Sequence, residues 1–136
     1  MARQQTDLPT IEFQSASEFE TWLAGHYESP DGLWLKIAKK ASGITTVTYD
    51  EALDIALCYG WIDGQRKAVD EQYFIQRFTP RRPRSKWSKR NREKATALIE
   101  AGRMQPPGLR EIERAKADGR WEAAYDGPAN ATVPPD

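Results

Sequence analysis

Cysteine and histidine are almost absent from this 136-residue chain, which holds only Cys58 and His26. A lone cysteine excludes an intramolecular disulfide and any zinc site built on four cysteines. One His and one Cys cannot assemble the usual transition-metal site either, although carboxylates could still hold magnesium. The sequence therefore implies no metal and no cofactor. Long apolar runs are missing too: uncharged stretches reach nine residues, far short of the roughly 20 that span a bilayer. The first residues, Met1-Ala-Arg-Gln-Gln-Thr-Asp7, contain no apolar h-region, so no signal peptide is expected. A cytoplasmic protein without membrane insertion follows as the expectation, and a single cysteine suits a reducing compartment. No glycine-rich phosphate loop, dinucleotide fingerprint or nucleophile elbow occurs.

What is present suits one globular domain of ordinary size. Residues are 39% hydrophobic, 10% aromatic and 29% charged, a balance that excludes a fully disordered chain. Five tryptophans predict an aromatic-rich core. The net charge is zero, but it is unevenly spread. From Arg77 to Lys94 nine cations stand against Glu93 alone, giving +8 there and leaving −8 for the rest. A like-charge block of this kind attracts anions when it is folded rather than a tail.

The periodicities place the elements. Ser17-Glu-Phe-Glu20 reads as a capping box, with Phe19, Trp22, Leu23 and His26 as the stripe of a helix over 18–26. Pro30-Asp-Gly32 is a turn. Leu33, Leu35 and Ile37 alternate with Trp34, Lys36 and Ala38, the period of a strand over 33–40. Ser42-Gly43 followed by the β-branched run Ile44–Val47 predicts a hairpin partner for it. Thr48-Tyr-Asp-Glu51 is a second capping box, for a helix over 49–59 with Gly60 just past its end. Trp61 to Val69 and Gln72 to Phe78 read as strands about a turn at Asp70-Glu71, the second ended by Pro80 and Pro83. Ser85 is the expected N-cap of a helix to Ala101 that turns Trp87, Ala95, Leu98 and Ile99 inward. Pro106-Pro107 opens a last helix carrying Leu109, Ile112 and Ala115, followed by an amphipathic turn with Trp121, Ala124 and Tyr125. The fold expected is α+β, a small mostly antiparallel sheet of about four strands packed with helices and a helical C-terminal third. Residues 1–10 are expected to be a flexible N-terminus, 11–125 a single domain and 126–136 a disordered tail.

Six ordered motifs carry a family resemblance: Gly32-Leu-Trp-Leu-Lys-Ile-Ala-Lys-Lys40, Thr48-Tyr-Asp-Glu-Ala-Leu53, Gly60-Trp-Ile-Asp-Gly64, Arg77-Phe-Thr-Pro-Arg-Arg82, Ser85-Lys-Trp-Ser-Lys89 with Asn91, and Ala115-Lys-Ala-Asp-Gly-Arg-Trp121. In this succession they resemble the YdeI/OmpD-associated family, also labelled bacteriocin-protection proteins, over about residues 11 to 125. The resemblance implies a role in cell protection or stress tolerance in bacteria and supplies no catalytic residues. It marks Asp63, Arg66, Thr79, Arg81, Arg82, Ser85, Trp87, Ser88 and Asn91 as family-typical positions.

Chemically, the informative segment runs from Phe78 to Lys89. Cations at a helix N-terminus oppose the dipole, and Arg84, Lys86 and Lys89 crowd the start expected at Ser85. An anion among Ser85, Ser88 and the unpaired N–H groups would reverse the sign of those interactions. The candidate ligand-binding set is Arg66, Arg77, Thr79, Arg81, Arg82, Arg84, Ser85, Lys86, Trp87, Ser88, Lys89 and Asn91, with phosphate or nucleic acid as the partner. The arginines could instead pair with internal acids such as Asp63 or Asp70, which would leave a basic loop of structural meaning only. Trp61, Tyr73, Phe74, Phe78 and Trp87 could stack on bases. Core packing suits Phe74, Phe78 and Trp87 better, and Tyr73, sharing a strand face with Arg77, is the better exposed platform. Asp63 is either a turn residue paired with Arg66 or a general base in an enzyme acting on a small anion. A third class is a protein-interaction domain for an acidic partner. Cys58 reads as a small buried apolar residue and His26 as a packed or exposed helix residue.

Overall fold

A computed structural model of the chain describes residues 9–124. The residues expected to form the disordered tail, Tyr125, and all but the last two residues of the expected flexible N-terminus lie outside the described range. Four strands and four helices appear in the order β1 (Thr10–Glu12), α1 (Ala16–Ala24), β2 (Leu33–Ala38), α2 (Tyr49–Cys58), β3 (Trp61–Ala68), β4 (Tyr73–Pro80), α3 (Lys89–Glu100) and α4 (Pro106–Ala117). The fold is α+β. The sheet order is β1-β2-β4-β3, with β1 parallel to β2 and the other two pairings antiparallel. The chain forms two compact units, Met1–Ala56 with Trp61–Pro80, and Leu57–Gly60 with Arg81–Asp136. They are called unit 1 and unit 2 below.

Unit 1 contains the sheet. Leu33, Leu35 and Ile37 are buried while Trp34, Lys36 and Ala38 are half-buried, so the alternation in the sequence is the alternation of the two faces. Register carries it across the sheet: Leu33 pairs with Phe78, Leu35 with Gln76 and Ile37 with Phe74 on the inner face. Phe19 of α1 reaches Phe78 at 6.0 Å between ring centroids, and Trp22 meets Trp61 edge-on at 6.2 Å. The indole N–H of Trp61 donates to the Tyr27 carbonyl at 2.9 Å. Each such fully buried large side chain contributes about 1.5–3 kcal/mol.

Three expectations for unit 1 need correction. The first helix starts at Ala16, not at 18, with Ser15 as N-cap. Ser15 Oγ accepts the Glu18 N–H and Glu18 Oε1 accepts the Gln14 N–H. The capping pair is thus Ser15-x-x-Glu18, two residues earlier than the equally well-formed Ser17-x-x-Glu20, with the Glu18 carboxylate reaching the N–H of Gln14 rather than that of the cap residue. Ile44–Val47 forms no strand. Both edges of β2 are already taken by β1 and β4, which leaves that run no place beside β2. Its donors and acceptors go elsewhere: the Ala38 N–H donates to Thr46 Oγ1, and the Val47 N–H to the Phe13 carbonyl. The fourth strand is instead the three-residue β1, too short to show a period. The second capping box forms as read, with Thr48 Oγ1 accepting from the Glu51 N–H and Glu51 Oε1 from the Thr48 N–H.

The turn between β3 and β4 is built on Asp70, whose Oδ1 accepts the N–H groups of Gln72 (2.8 Å) and Tyr73 (2.9 Å). The Gln72 N–H first, then that of Tyr73 and the charges of Lys36 and Lys39, hold its carboxyl below the ordinary 3.8. A depressed folded pKa contributes stability that is present above the unfolded value and is lost as pH falls through the folded one. Asp70→Asn is therefore expected to flatten the loss of stability between about pH 5 and pH 3. Urea unfolding at pH 7 and pH 3 checks it: a gap between wild type and variant that does not change with pH would show that Asp70 is not one of the groups responsible.

In unit 2, α3 begins at Lys89 with Ser88 as N-cap, three residues later than expected. Trp87, Ala95 and Leu98 are buried as expected, but Ile99 is 38% exposed, and Leu109 of α4 is 37% exposed. Pro107, Gly108, Ile112 and Ala115 supply the buried face of α4. The Gln105 N–H donates to the Cys58 carbonyl, and Cys58 itself is buried and in no disulfide. Trp87 and Trp121 meet at 5.0 Å between centroids and 63° between planes. The Arg92 guanidinium donates to the Trp121 carbonyl.

Candidate functional site

The structure divides the sequence-derived ligand set. In unit 2, Arg81 is folded inward at 7% exposure. Its guanidinium lies 3.6 Å from the centroid of Trp87, and Nη1 donates to Ser85 Oγ at 2.8 Å and to the Lys86 carbonyl at 3.2 Å. This explains the late start of α3: a carbonyl and a hydroxyl held by Arg81 keep residues 85–87 out of the helix. Ser85 is therefore not the cap, and Arg84 and Lys86 are not in the first helical turn. Ser88 Oγ is the cap acceptor for the Asn91 N–H, and at 4% exposure the residue is withdrawn from solvent. Arg81, Trp87, Ser88 and Asn91 are all buried. A second strut comes from Arg120, whose Nη1 donates to the Ser85 carbonyl at 2.6 Å while Nε spans both oxygens of Asp118. Burial raises the Asp118 carboxyl, but the Arg120 bonds outweigh it and hold the group below its usual value.

Outside this supported turn stand the cations that solvent reaches. Arg82, Arg84, Lys86, Lys89 and Arg90 are exposed. This exposed run, from Arg82 into the first turn of α3, is called the basic ridge below, and no acidic side chain lies in that turn.

The remaining members of the set lie in unit 1, on two faces of the sheet. Arg77 and Thr79 are half-buried on the outer face of β4. Register sets Arg77 beside Trp34 and Ile75 beside Lys36. Lys36 Nζ sits 4.3 Å over the Tyr73 ring and Lys67 Nζ 5.0 Å over the Trp34 ring. Burial, and then the adjoining Glu12 carboxylate, raise the Tyr73 phenol above its ordinary value. Tyr73 and Arg77 thus share the outer face, both half-buried, with Trp34, Lys36 and Lys67 on the same face.

Asp63 and Arg66 belong to the inner face. Asp63 Oδ2 accepts the Tyr49 hydroxyl at 2.5 Å. Arg66 Nε donates to Gln76 Oε1 at 3.1 Å. Its guanidinium carbon lies 4.3 Å from the Phe74 centroid and 5.0 Å from that of Tyr49. Arg66 opens on a cleft of about 550 Å³ that Lys39, Lys40, Tyr49 and Phe74 also line. Sequence reasoning missed Lys39, Lys40, Tyr49 and Gln76. The one signal for this corner was Gly64 inside a strand pattern, which marks a bulge.

No group of three or more His, Cys, Asp or Glu side chains is placed to hold a metal among the described residues. No described helix is long and apolar enough to cross a membrane. Comparison with curated proteins and with solved structures finds no match. A family model described as "Domain of unknown function (DUF8412)" matches residues 11–111, most of the chain including the basic ridge and all of the sheet but Thr10, and the chain belongs to that family.

Proposed function

We propose that this protein is an anion-binding module that takes a nucleic acid or another phosphorylated ligand on the basic ridge of unit 2. Its biological setting would be the cell protection or stress tolerance implied by the likeness to YdeI/OmpD-associated proteins. One observation carries the reading. Arg81 and Trp87 fold inward and fix the turn, while Arg82, Arg84, Lys86, Lys89 and Arg90 are left exposed along its outside. A fixed row of cations neutralises successive phosphates at less entropic cost than a mobile one.

The test is fluorescence anisotropy with labelled single- and double-stranded oligonucleotides at about 50 and 200 mM salt. Affinity should fall steeply with salt, because each phosphate contact releases close to one counterion. The triple variant Arg82→Ala, Arg84→Ala, Lys86→Ala should lower the salt slope by about 2 to 3 without altering the fold. An absence of binding at low salt would remove nucleic acid as the partner and favour an acidic protein. A second reading rests on the outer sheet face, where Trp34 and Tyr73 carry Lys67 and Lys36 over their rings. Bases stacking there would appear as a preference for the single strand that Trp34→Ala removes.

A further inference from the structure

The cleft beside Arg66 is a different site from the ridge. Its construction begins with an irregularity in β3. The register steps from Asp63 opposite Phe78 to Arg66 opposite Gln76, so Gly64 and Gln65 together face Arg77. Such a bulge takes carbonyls out of the ladder, and here both are used. Gln76 Nε2 donates to the Gly64 carbonyl at 2.6 Å and to the Gln65 carbonyl at 3.2 Å. The Gln76 side chain, only 2% exposed, is thereby fixed with its oxygen toward Arg66 Nε. On the other side Tyr49, held by Asp63, and Phe74 present ring faces to the guanidinium.

A long cationic side chain at a surface is ordinarily left mobile, because fixing it costs rotamer entropy. Arg66 is exposed yet fixed by one hydrogen bond and two rings, at the mouth of a cleft of a size that suits a small ligand. We infer that the Arg66 cleft of unit 1 is a binding site for a small organic acid, a single carboxylate on a flat apolar body. With Nε committed to Gln76, the two terminal nitrogens remain to meet one carboxylate as a fork. The body would lie on the apolar lining supplied by Ile37, Ala38, Ala68 and Phe74.

Charge selects a monoanion. Lys39, Lys40 and Arg66 line the cleft against Asp50 alone, but Lys39 Nζ is engaged with the Asp70 carbonyl at 2.7 Å. The Asp63 carboxylate stands directly behind Tyr49. Counting Asp63 with Asp50, three cations stand against two carboxylates, a net of one positive charge that a monoanion matches and a phosphate dianion exceeds.

The experiment is an NMR titration of the full-length protein with indole-3-acetate, using indole and phenyl phosphate as controls. Indole-3-acetate should give saturable shifts at the amides of Lys39, Lys40, Tyr49, Arg66 and Phe74, and indole should give none. Arg66→Lys, which keeps the charge and loses the fork, should weaken binding about tenfold or more. Arg66 is exposed, so the variant spectrum should otherwise match the wild type. The ridge triple variant should bind indole-3-acetate unchanged, which separates this site from the one proposed above. Shifts absent at millimolar ligand, or unchanged affinity in Arg66→Lys, would overturn the inference. Tighter binding of phenyl phosphate than of indole-3-acetate would overturn the carboxylate assignment.

Discussion

Arg81→Ala is expected to destabilise the protein by about 3 kcal/mol, and Arg82→Ala by less than about 0.5 kcal/mol. The two residues are neighbours of the same type, and only their surroundings differ. Arg81 is buried, stacked on Trp87 at 3.6 Å, and bonded to Ser85 and Lys86. A desolvated cation–π contact contributes about 2 kcal/mol, and a hydrogen bond from a charged donor about 1.5–3 kcal/mol. Alanine loses these and leaves the Lys86 carbonyl and the Ser85 hydroxyl without that donor, so the extended backbone of residues 85–87 loses its tie. For a chain of this size about 3 kcal/mol corresponds to a fall in Tm of roughly 10 °C. Arg82 is exposed, and its removal should show in the salt dependence of oligonucleotide binding instead. Thermal unfolding and anisotropy on both variants decide the matter. A stable Arg81→Ala protein with lost oligonucleotide binding would place Arg81 in contact with ligand and sink the supporting role assigned to it.

Gly32→Ala should be more damaging still, about 4 kcal/mol or more, enough to leave little folded protein. Gly32 has φ +82°, a conformation in which any Cβ costs about 1–2 kcal/mol. The steric term is larger. A Cβ at this position would lie 2.2 Å from the Phe78 carbonyl oxygen and 3.0 Å from Thr79 Cα, both of them backbone in β4 that cannot swing aside. Gly43 is the control. It has nearly the same φ, +76°, with open space where its Cβ would stand. Gly43→Ala should therefore show the conformational cost alone, about 1 kcal/mol. Urea unfolding of the pair separates the two contributions. Equal costs would mean that the close approach of Gly32 to β4 relaxes without loss.

These two predictions show unequal shares of information in the chain. Gly32 is visible in the sequence as the end of a Pro-Asp-Gly turn, but its approach to β4 depends on a strand more than forty residues away. Arg81 and Arg82 are indistinguishable as letters. Only burial assigns one to the turn and the other to solvent. The site in unit 1 behaves in the same way: Asp63, Tyr49, Arg66 and Gln76 come from two strands and a helix, and no spacing in the chain announces that they converge.

What the sequence determined by itself is local. Alternation over Leu33–Ala38 set which face of β2 is buried, because the strand period is fixed by backbone geometry. Thr48-x-x-Glu51 set the start of α2, and Pro106 that of α4, because orphan N–H groups at a helix end are satisfied by near neighbours or removed. The uneven charge marked the segment that carries the exposed ridge. Tertiary structure decided everything that turns on competition for a partner. Ile44–Val47 has the composition of a strand and lost its place because β1 and β4 hold both edges of β2. Ser85 is the cap that the sequence suggests, and Arg81 takes it out of that role by binding its hydroxyl, leaving Ser88 to cap α3. Local signals of equal strength are separated by long-range contacts, since a hydrogen-bonding group or a sheet edge that is already taken cannot be used again.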